Sequence, residues 1–400
     1  MTKESSPFTP GNPVPVELFV GRSEQIQELI RYVKQTRSGR AENVFLAGDR
    51  GIGKSSLASF LRYYVSTQEN MLGVHVFLGR VFTLEGMVHH IFEQILKEAK
   101  IQGGLEKVTS FFAKHIKEIG LFGISVSFSP QKAELEELVT KFPEAINNLL
   151  AQMADRKKGL FIALDDINGL VEKPEFANWY KSFADEVATH YKSFPVFVIL
   201  MGLPEKRDIL SHIQPSLMRI FRVVGIEKLS DEEVRNFLGK AFEKTGIKVR
   251  TDAMDLMVRY SSGLPVLMHE IGDATFWADE DGVVDVDDAS RGVLNAAEKV
   301  GQKYLDPKVY RAIRSESYRS ILRKLGDILT GRHFKKKEVA AKLDDREKRV
   351  FDNFLNRMRK LGVIEPDVER GRGAYNFINE IYPLYITMES EKSRKKPSKQ

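Results

Sequence analysis

Eight consecutive residues restrict this chain more than any others: Gly48-Asp49-Arg50-Gly51-Ile52-Gly53-Lys54-Ser55. They follow a short apolar run, residues 43–47, and lead into an amphipathic pattern from Lys54 to about Val65. A buried strand, a glycine loop and a helix start in that order create an anion pocket. The glycines let backbone N–H groups turn inward, and the helix N-terminus adds its partial positive charge. The spacing is that of a phosphate-binding loop. Lys54 is placed to reach β- and γ-phosphate oxygens, and the Ser55 hydroxyl is placed for Mg²⁺. Residues 48–55, with Ser56 after them, are the nucleotide-binding stretch read from the sequence.

The surrounding pattern supports an α/β fold. Residues 43–47, 74–78, 160–164, 196–201 and 222–227 are rich in Val, Ile, Phe and Leu and barely alternate with polar residues. That is the signature of strands buried on both faces. Helical patterns separate them, so a parallel sheet covered by helices is expected. The chain has 400 residues and no cysteine, which excludes disulfides, thiolate metal sites and cysteine nucleophiles. Its longest uncharged apolar stretch, residues 194–204, is too short to span a bilayer, and its start has no apolar leader run. A soluble, cytoplasmic protein with no membrane partner is the expectation.

A second acidic feature lies at the end of the 160–164 run, where Asp165 and Asp166 stand side by side. Two carboxylates after a buried strand are costly unless a cation or solvent meets them. Asp165 is assigned to Mg²⁺, directly or through water, and Asp166 to orienting or deprotonating an attacking water.

Composition divides the chain into segments. Residues 1–15 are rich in Pro, Ser, Gly and Thr and read as an extended lead-in. Residues 16–229 form the α/β core, with an insertion at about 103–130. Within the insertion, Val108, Phe111, Phe112, His115, Ile116 and Ile119 make a helical stripe, and 122–128 alternate as a half-buried strand. Core packing or a contact surface for a protomer or partner are the two readings of it. Residues 230–305 are helical throughout, opened by a capping box at Ser230 and Glu233. Residues 306–390 give three helices (318–329, 335–343, 346–361), then strands 363–368 and 374–378 around a glycine turn, which is the order of a winged helix-turn-helix. Residues 391–400 read as a disordered basic tail.

Charge follows the same division. Residues 306–400 hold 24 Lys+Arg against 14 Asp+Glu, a balance of +10, and the rest holds 37 against 41. A basic C-terminal end on a mildly acidic body is a candidate for polyanion binding. On the 346–361 helix, Arg346, Arg349, Asn353, Asn356 and Lys360 fall opposite the apolar stripe, and Arg370 and Arg372 sit on the hairpin turn. Those residue types suit phosphates and base edges, so double-stranded DNA is the candidate partner. A solvated helix face, or a module that contacts protein, is the alternative.

With these motifs in place, the chain resembles the AAA+ and STAND P-loop ATPases, and among them the prokaryotic relatives of origin-recognition and replication-initiator proteins. The resemblance covers about residues 13–386. It implies a sandwich of the additional-strand (ASCE) division of P-loop ATPases, a helical lid and a winged helix, with ATP and Mg²⁺ as ligands. Phe19-Val20-Gly21-Arg22 resembles the family's box at the adenine end of the nucleotide. Gly263-Leu264-Pro265 resembles the Gly-x-Pro element of STAND ATPases, whose proline sits against the base. Arg219 stands where family members place an arginine that acts on a neighbour's nucleotide, with Arg222 as second choice; an ordinary surface arginine is the alternative. His269 follows Pro265 by four residues and reads as a core or surface histidine in preference to a phosphate neighbour.

The departures from the family pattern matter as well. Residues 201–204 end the strand of the first sensor, yet Met201 and Gly202 offer no polar side chain. Gly263-Leu264-Pro265 occupies the place of a sensor arginine, and Asp166 that of a glutamate. The expectation is an ATP-binding, slowly hydrolysing switch whose nucleotide state controls homo-oligomerisation and DNA binding. A STAND-type signalling or defence ATPase working through a protein partner, and a nucleotide-binding scaffold without turnover, are the alternatives.

Overall fold

The computed structural model describes residues 3–101, 116–119, 126–313 and 315–395. The chain forms two compact units, Pro15–Glu227, and Met1–Val14 together with Lys228–Gln400.

In the first unit a 3-10 turn, Val16–Leu18, precedes α1 (Ser23–Arg37), β1 (Glu42–Ala47), α2 (Lys54–Thr67), β2 (Leu72–Phe77) and α3 (Leu84–Ile101). Then come β3 (Ile116–Ile119), β4 (Val126–Phe128), α4 (Lys132–Thr140), α5 (Phe142–Met153), β5 (Leu160–Asp165) and α6 (Pro174–His190). The unit closes with β6 (Val196–Gly202), α7 (Pro204–Ile213), α8 (Leu217–Ile220) and β7 (Arg222–Gly225). Five strands pair in the order β2-β5-β6-β1-β7, and every pairing in this sheet is parallel. These are the five apolar runs of the sequence.

Strand periodicity sends alternate side chains to opposite faces. On one face Phe45, Val74, Ile162, Leu164 and Leu200 join a core with Ile91, Phe92, Leu149 and Tyr180 from α3, α5 and α6. On the other, Phe197 meets Phe161 and Tyr32 of α1 edge-on, at 5.5 and 6.4 Å between ring centroids. Leu57, Leu61 and Val65 of α2 are fully buried. Each such side chain contributes roughly 1.5–3 kcal/mol through burial, and together they fix the register of the sheet. Asp165 is level with Met201, and Met201 with Leu46. The carboxyl ends of β5, β6 and β1 therefore finish side by side, which is where ligands bind in open parallel sheets.

The insertion departs from the expected pattern. Residues 116–119, placed on a helical stripe by their spacing, form β3, which pairs antiparallel with β4. Strand pairing with the following segment overrides the local period. Val108, Phe111, Phe112 and His115 lie outside the described residues. Phe128 is buried against Phe92, at 5.9 Å.

The second unit contains α9 (Asp231–Glu243), β8 (Lys248–Val249), α10 (Thr251–Ser261), α11 (Pro265–Ala278), β9 (Val283–Val284) and α12 (Val286–Val300). Both halves of the Ser230–Glu233 capping box are formed. A π-helical stretch, Gly301–Tyr310, replaces the expected continuation of α12. At its start the Tyr385 ring packs so close to Gly301 that a Cβ there would lie 2.3 Å from it, and Pro307 removes a backbone donor further on. The remaining elements are α13 (Glu316–Ile328), β10 (His333–Lys335), α14 (Lys336–Ala340), α15 (Asp345–Lys360), β11 (Ile364–Pro366), β12 (Ala374–Phe377) and α16 (Ile381–Lys395). The three short strands pair in the order β10-β12-β11. The expected hairpin has gained a third strand, too short to leave a pattern. Residues 391–395 are helical, contrary to the tail expected there; 396–400 lie outside the described residues.

The lead-in is also more than a connector. Phe8 is 4% exposed and packs edge-on to Phe242 and Phe237, at 5.1 and 5.9 Å. A Cβ on Gly272 would come within 2.3 Å of its ring, so α11 accepts Phe8 only because residue 272 is glycine. The Thr9 N–H donates to His269 Nδ1 at 3.0 Å, and Lys3 pairs with Asp279 at 2.7 Å. The segment is a strap tied at three points to the helices of its own unit.

Candidate nucleotide site

Residues 48–53 connect β1 to α2 and turn through two left-handed glycines, Gly51 at φ +75° and Gly53 at φ +98°. Gly53 is the N-cap of α2, a conformation that any side chain would strain. Gly48 packs with no space for a Cβ, which would fall 3.0 Å from the Ile226 carbonyl. Ile52 is buried and anchors the loop, while Asp49 and Arg50 are exposed.

Lys54 points into this loop. Its Nζ donates to the Gly48 and Asp49 carbonyls at 2.6 and 2.8 Å. Burial pushes the ammonium pKa below lysine's usual value, against the pull of Asp165, Asp49 and Asp166. The ammonium is held by neutral carbonyls and forms no ion pair among the described residues, so an anionic phosphate would satisfy it better.

The Ser55 side chain, at the start of α2, lies close enough to Asp165 at the end of β5 to stabilise its carboxylate. The two residues proposed for Mg²⁺ from the sequence therefore meet. Asp165 is 5% exposed. Burial pushes its carboxyl upward, but the neighbouring His75 and Ser55 side chains and the Lys54 charge outweigh this and hold it below the usual carboxylate range. A hydroxyl and a carboxylate are hard oxygen ligands and fit Mg²⁺. Asp166 is in the left-handed region at φ +58°, which turns it out of the strand. Its Oδ1 accepts from the amide of Asn168, whose own Oδ1 accepts the Leu203 N–H at 3.4 Å.

Of the box at residues 19–22, Phe19 stacks on Phe60 of α2 at 5.0 Å. Arg22 is left-handed, 6% exposed, and donates to the backbone carbonyls of Ile52 and Glu227. Its guanidinium braces the loop from behind. Arg222 is committed to Glu42 at 3.0 Å and lies over the Tyr32 ring at 4.8 Å. Arg219, on α8, is exposed and forms no ion pair among the described residues. Pro265 is the first residue of α11, in the other compact unit. His269 is buried there on the strap, with its pKa pushed down to about 4 by burial.

In the C-terminal segment, Arg346, Arg349, Asn353, Asn356 and Lys360 are all exposed on α15, as are Arg370 and Arg372 on the β11–β12 turn. Asn353, Asn356, Arg357 and Lys360 line a groove of about 450 Å³ with Tyr318. Arg370 is tethered to Asp367 at 3.6 Å. No helix among the described residues is long and apolar enough to cross a membrane.

Sequence reasoning did not find His75, Ser59 or Asn168. His75 left one signal, a lone imidazole in an otherwise apolar strand run. Only the pairing of β2 with β5 brings it to Asp165.

Residues 18–182 match the AAA ATPase domain family. Among solved structures, the chain is similar to the Walker-type ATPase PABY2304 of Pyrococcus abyssi, at 17% identity and a TM-score of 0.56 over 92% of this chain and 96% of that one. It is also similar to ORC2 of Aeropyrum pernix, at 12% identity and a TM-score of 0.58 over 97% of each chain. At these identities the likeness is one of fold. An uncharacterised HTH-type transcriptional regulator of Methanocaldococcus jannaschii, MJ0774, is 19% identical over 234 residues, 58% of this chain. The match covers 55% of that relative, so the chain spans about half the length of it. The matched residues 18–182 hold both the phosphate loop and the acidic strand β5, which lie one strand apart in the five-stranded parallel sheet, so this part of the chain matches an AAA ATPase domain in sequence and has the sheet order of the P-loop class.

Proposed function

We propose that the protein is an ATP-binding molecular switch that hydrolyses ATP slowly, and that its nucleotide state controls self-association and the binding of duplex DNA. The observation that carries this reading is the convergence of Lys54, Ser55, Asp165 and Asp166 at the carboxyl ends of β1 and β5. Lys54 leaves the Gly48 and Asp49 carbonyls for the phosphates, to which the loop N–H groups also donate. Ser55 and Asp165 would hold Mg²⁺, which supplies positive charge to the phosphate oxygens. Asp166, turned out of the strand and held by Asn168, orients the attacking water. The ORC2 structure, similar in fold, was solved in ADPNP-ADP complexes, which agrees with nucleotide at such a site.

Slow turnover follows from what surrounds the site. The strand between β1 and β5 ends in Met201 and Gly202, and neither can hydrogen-bond to the γ-phosphate through a side chain. A missing donor of this kind costs about 10²–10³ in rate. Arg219, exposed and without an ion pair among the described residues, is available to a neighbouring protomer's phosphate.

DNA binding is supported by the charge and exposure of α15 and the hairpin turn, read as a winged helix. The exposed arginines and asparagines, the groove beside Asn353 and Asn356, and the description of the archaeal relative as an HTH-type regulator all agree with it.

Calorimetry with ATP, and sizing with ADP or a non-hydrolysable ATP analogue, each with and without duplex DNA, test the reading. Wild type should take up nucleotide with heat and change size between the two nucleotides, and Lys54→Ala should do neither. Absence of heat with wild type overturns the proposal. Nucleotide uptake without any DNA shift moves the C-terminal segment to a protein-binding role.

A further inference from the structure

Asp165 has a partner that belongs to neither nucleotide motif. His75 lies in β2, next to β5, and its side chain is on the same face of the sheet as Asp165 and α2. Its Nε2 is 3.1 Å from Asp165 Oδ2, and both side chains are over nine-tenths buried. An ionised carboxylate only accepts, so Nε2 carries the proton. Nδ1 faces the Ser59 hydroxyl of α2 at 3.5 Å. On its other side the ring stacks on Phe77, with 4.3 Å between centroids. The imidazole is gripped between the helix that follows the phosphate loop and an aromatic ring at the sheet edge.

We infer that His75 is a positioning residue for the cation site: it occupies one oxygen of Asp165 and fixes the carboxylate in the orientation that meets Ser55. The inference rests on the reading of Ser55 and Asp165 as the cation's protein ligands. Its physical ground is that a carboxylate on a short side chain rotates unless a second group holds it. Groups that hold a ligand from behind typically govern affinity by 10–100-fold. A histidine that merely filled space would be replaceable by phenylalanine, since its neighbours are an aromatic ring and a buried sheet. A histidine that aims Asp165 is replaceable only by a side chain with an N–H at the Nε2 position, as glutamine has.

The test uses the full chain, His75→Phe and His75→Gln, with Mn²⁺ as the probe. ADP affinity is measured in EDTA by calorimetry, and Mn²⁺ affinity of the ADP complex by electron paramagnetic resonance. The expected result is a 10–100-fold loss of Mn²⁺ affinity in His75→Phe, with metal-free ADP affinity within about twofold of wild type and most of the Mn²⁺ affinity recovered in His75→Gln. If His75→Phe does not fold, His75→Asn replaces it, being polar but too short to reach Asp165. Wild-type Mn²⁺ affinity in the variant that presents no N–H to Asp165 overturns the inference. Asp165→Asn is measured beside them. If that change leaves Mn²⁺ affinity untouched, the cation reading itself fails and takes the inference with it; if it abolishes Mn²⁺ binding while the His75 variants do not, only the positioning role fails.

Discussion

Lowering the pH should loosen the N-terminal strap through a single imidazole, and the size of the effect follows from the structure. His269 accepts the Thr9 N–H at Nδ1 and is surrounded by Phe8 and Phe237, so protonation must break the hydrogen bond and charge a buried ring. Burial holds its pKa at about 4, with Asp273 pulling the other way, against 6.5 for a free histidine. Between those values the unfolded chain binds a proton that the folded chain does not, so stability falls as the pH falls. The penalty is almost nil at pH 7, grows below 6.5 and levels off below 4. From pH 7 to pH 5 it comes to about 2 kcal/mol, at 1.36 kcal/mol per unit. Because the strap can detach before the helices melt, exchange of the Thr9 amide should accelerate at a pH where exchange within α11 is still slow. The comparison is urea unfolding, with exchange at Thr9, for wild type and His269→Gln at pH 7 and pH 5. Glutamine offers a carbonyl acceptor that does not titrate. Wild type should lose about 2 kcal/mol more than the variant between the two pH values. Equal losses would refute the reasoning.

Other consequences are as direct. Gly272→Val should expel Phe8, since even a Cβ at 272 would lie 2.3 Å from its ring; the strap should become protease-sensitive, with stability lowered by about 3–5 kcal/mol at most, the range for losing a buried phenylalanine. Arg370→Glu with Arg372→Glu places two negative charges on the exposed β11–β12 turn and should weaken duplex binding and flatten its dependence on salt, read in gel shifts from 50 to 200 mM salt. Unchanged binding in that double variant would remove the turn from the interface.

The legible parts of this protein were those with a local pattern. The phosphate loop is contiguous, and its glycines, lysine and serine each have a role set by neighbours within a few residues. The five strands announced themselves because a parallel strand is buried on both faces and must be apolar throughout. Ser230 and Glu233 cap a helix across three residues. Illegible were contacts between residues far apart in the chain. Phe8 is one aromatic residue in a Pro- and Ser-rich stretch, and nothing local says that Gly272 leaves space for it. Arg22 fitted a nucleotide-contacting box by position, yet its guanidinium braces carbonyls at Ile52 and Glu227, which only the fold brings near. Residues 116–119 follow a helical period but pair as a strand, because the neighbouring segment supplies backbone partners.

By itself, the order of residues determined that an apolar strand, a glycine loop and a helix would form an anion pocket, since backbone sterics and burial act over a few residues. It also determined that two carboxylates would end another strand. The tertiary structure alone decided that β6 lies between those strands, that Asp165 meets Ser55, and that His75 comes to rest on Asp165 from 90 residues away. The reason is register: hydrogen bonding between strands, fixed by packing on both faces of the sheet, sets which side chains become neighbours, and no local sequence pattern encodes it.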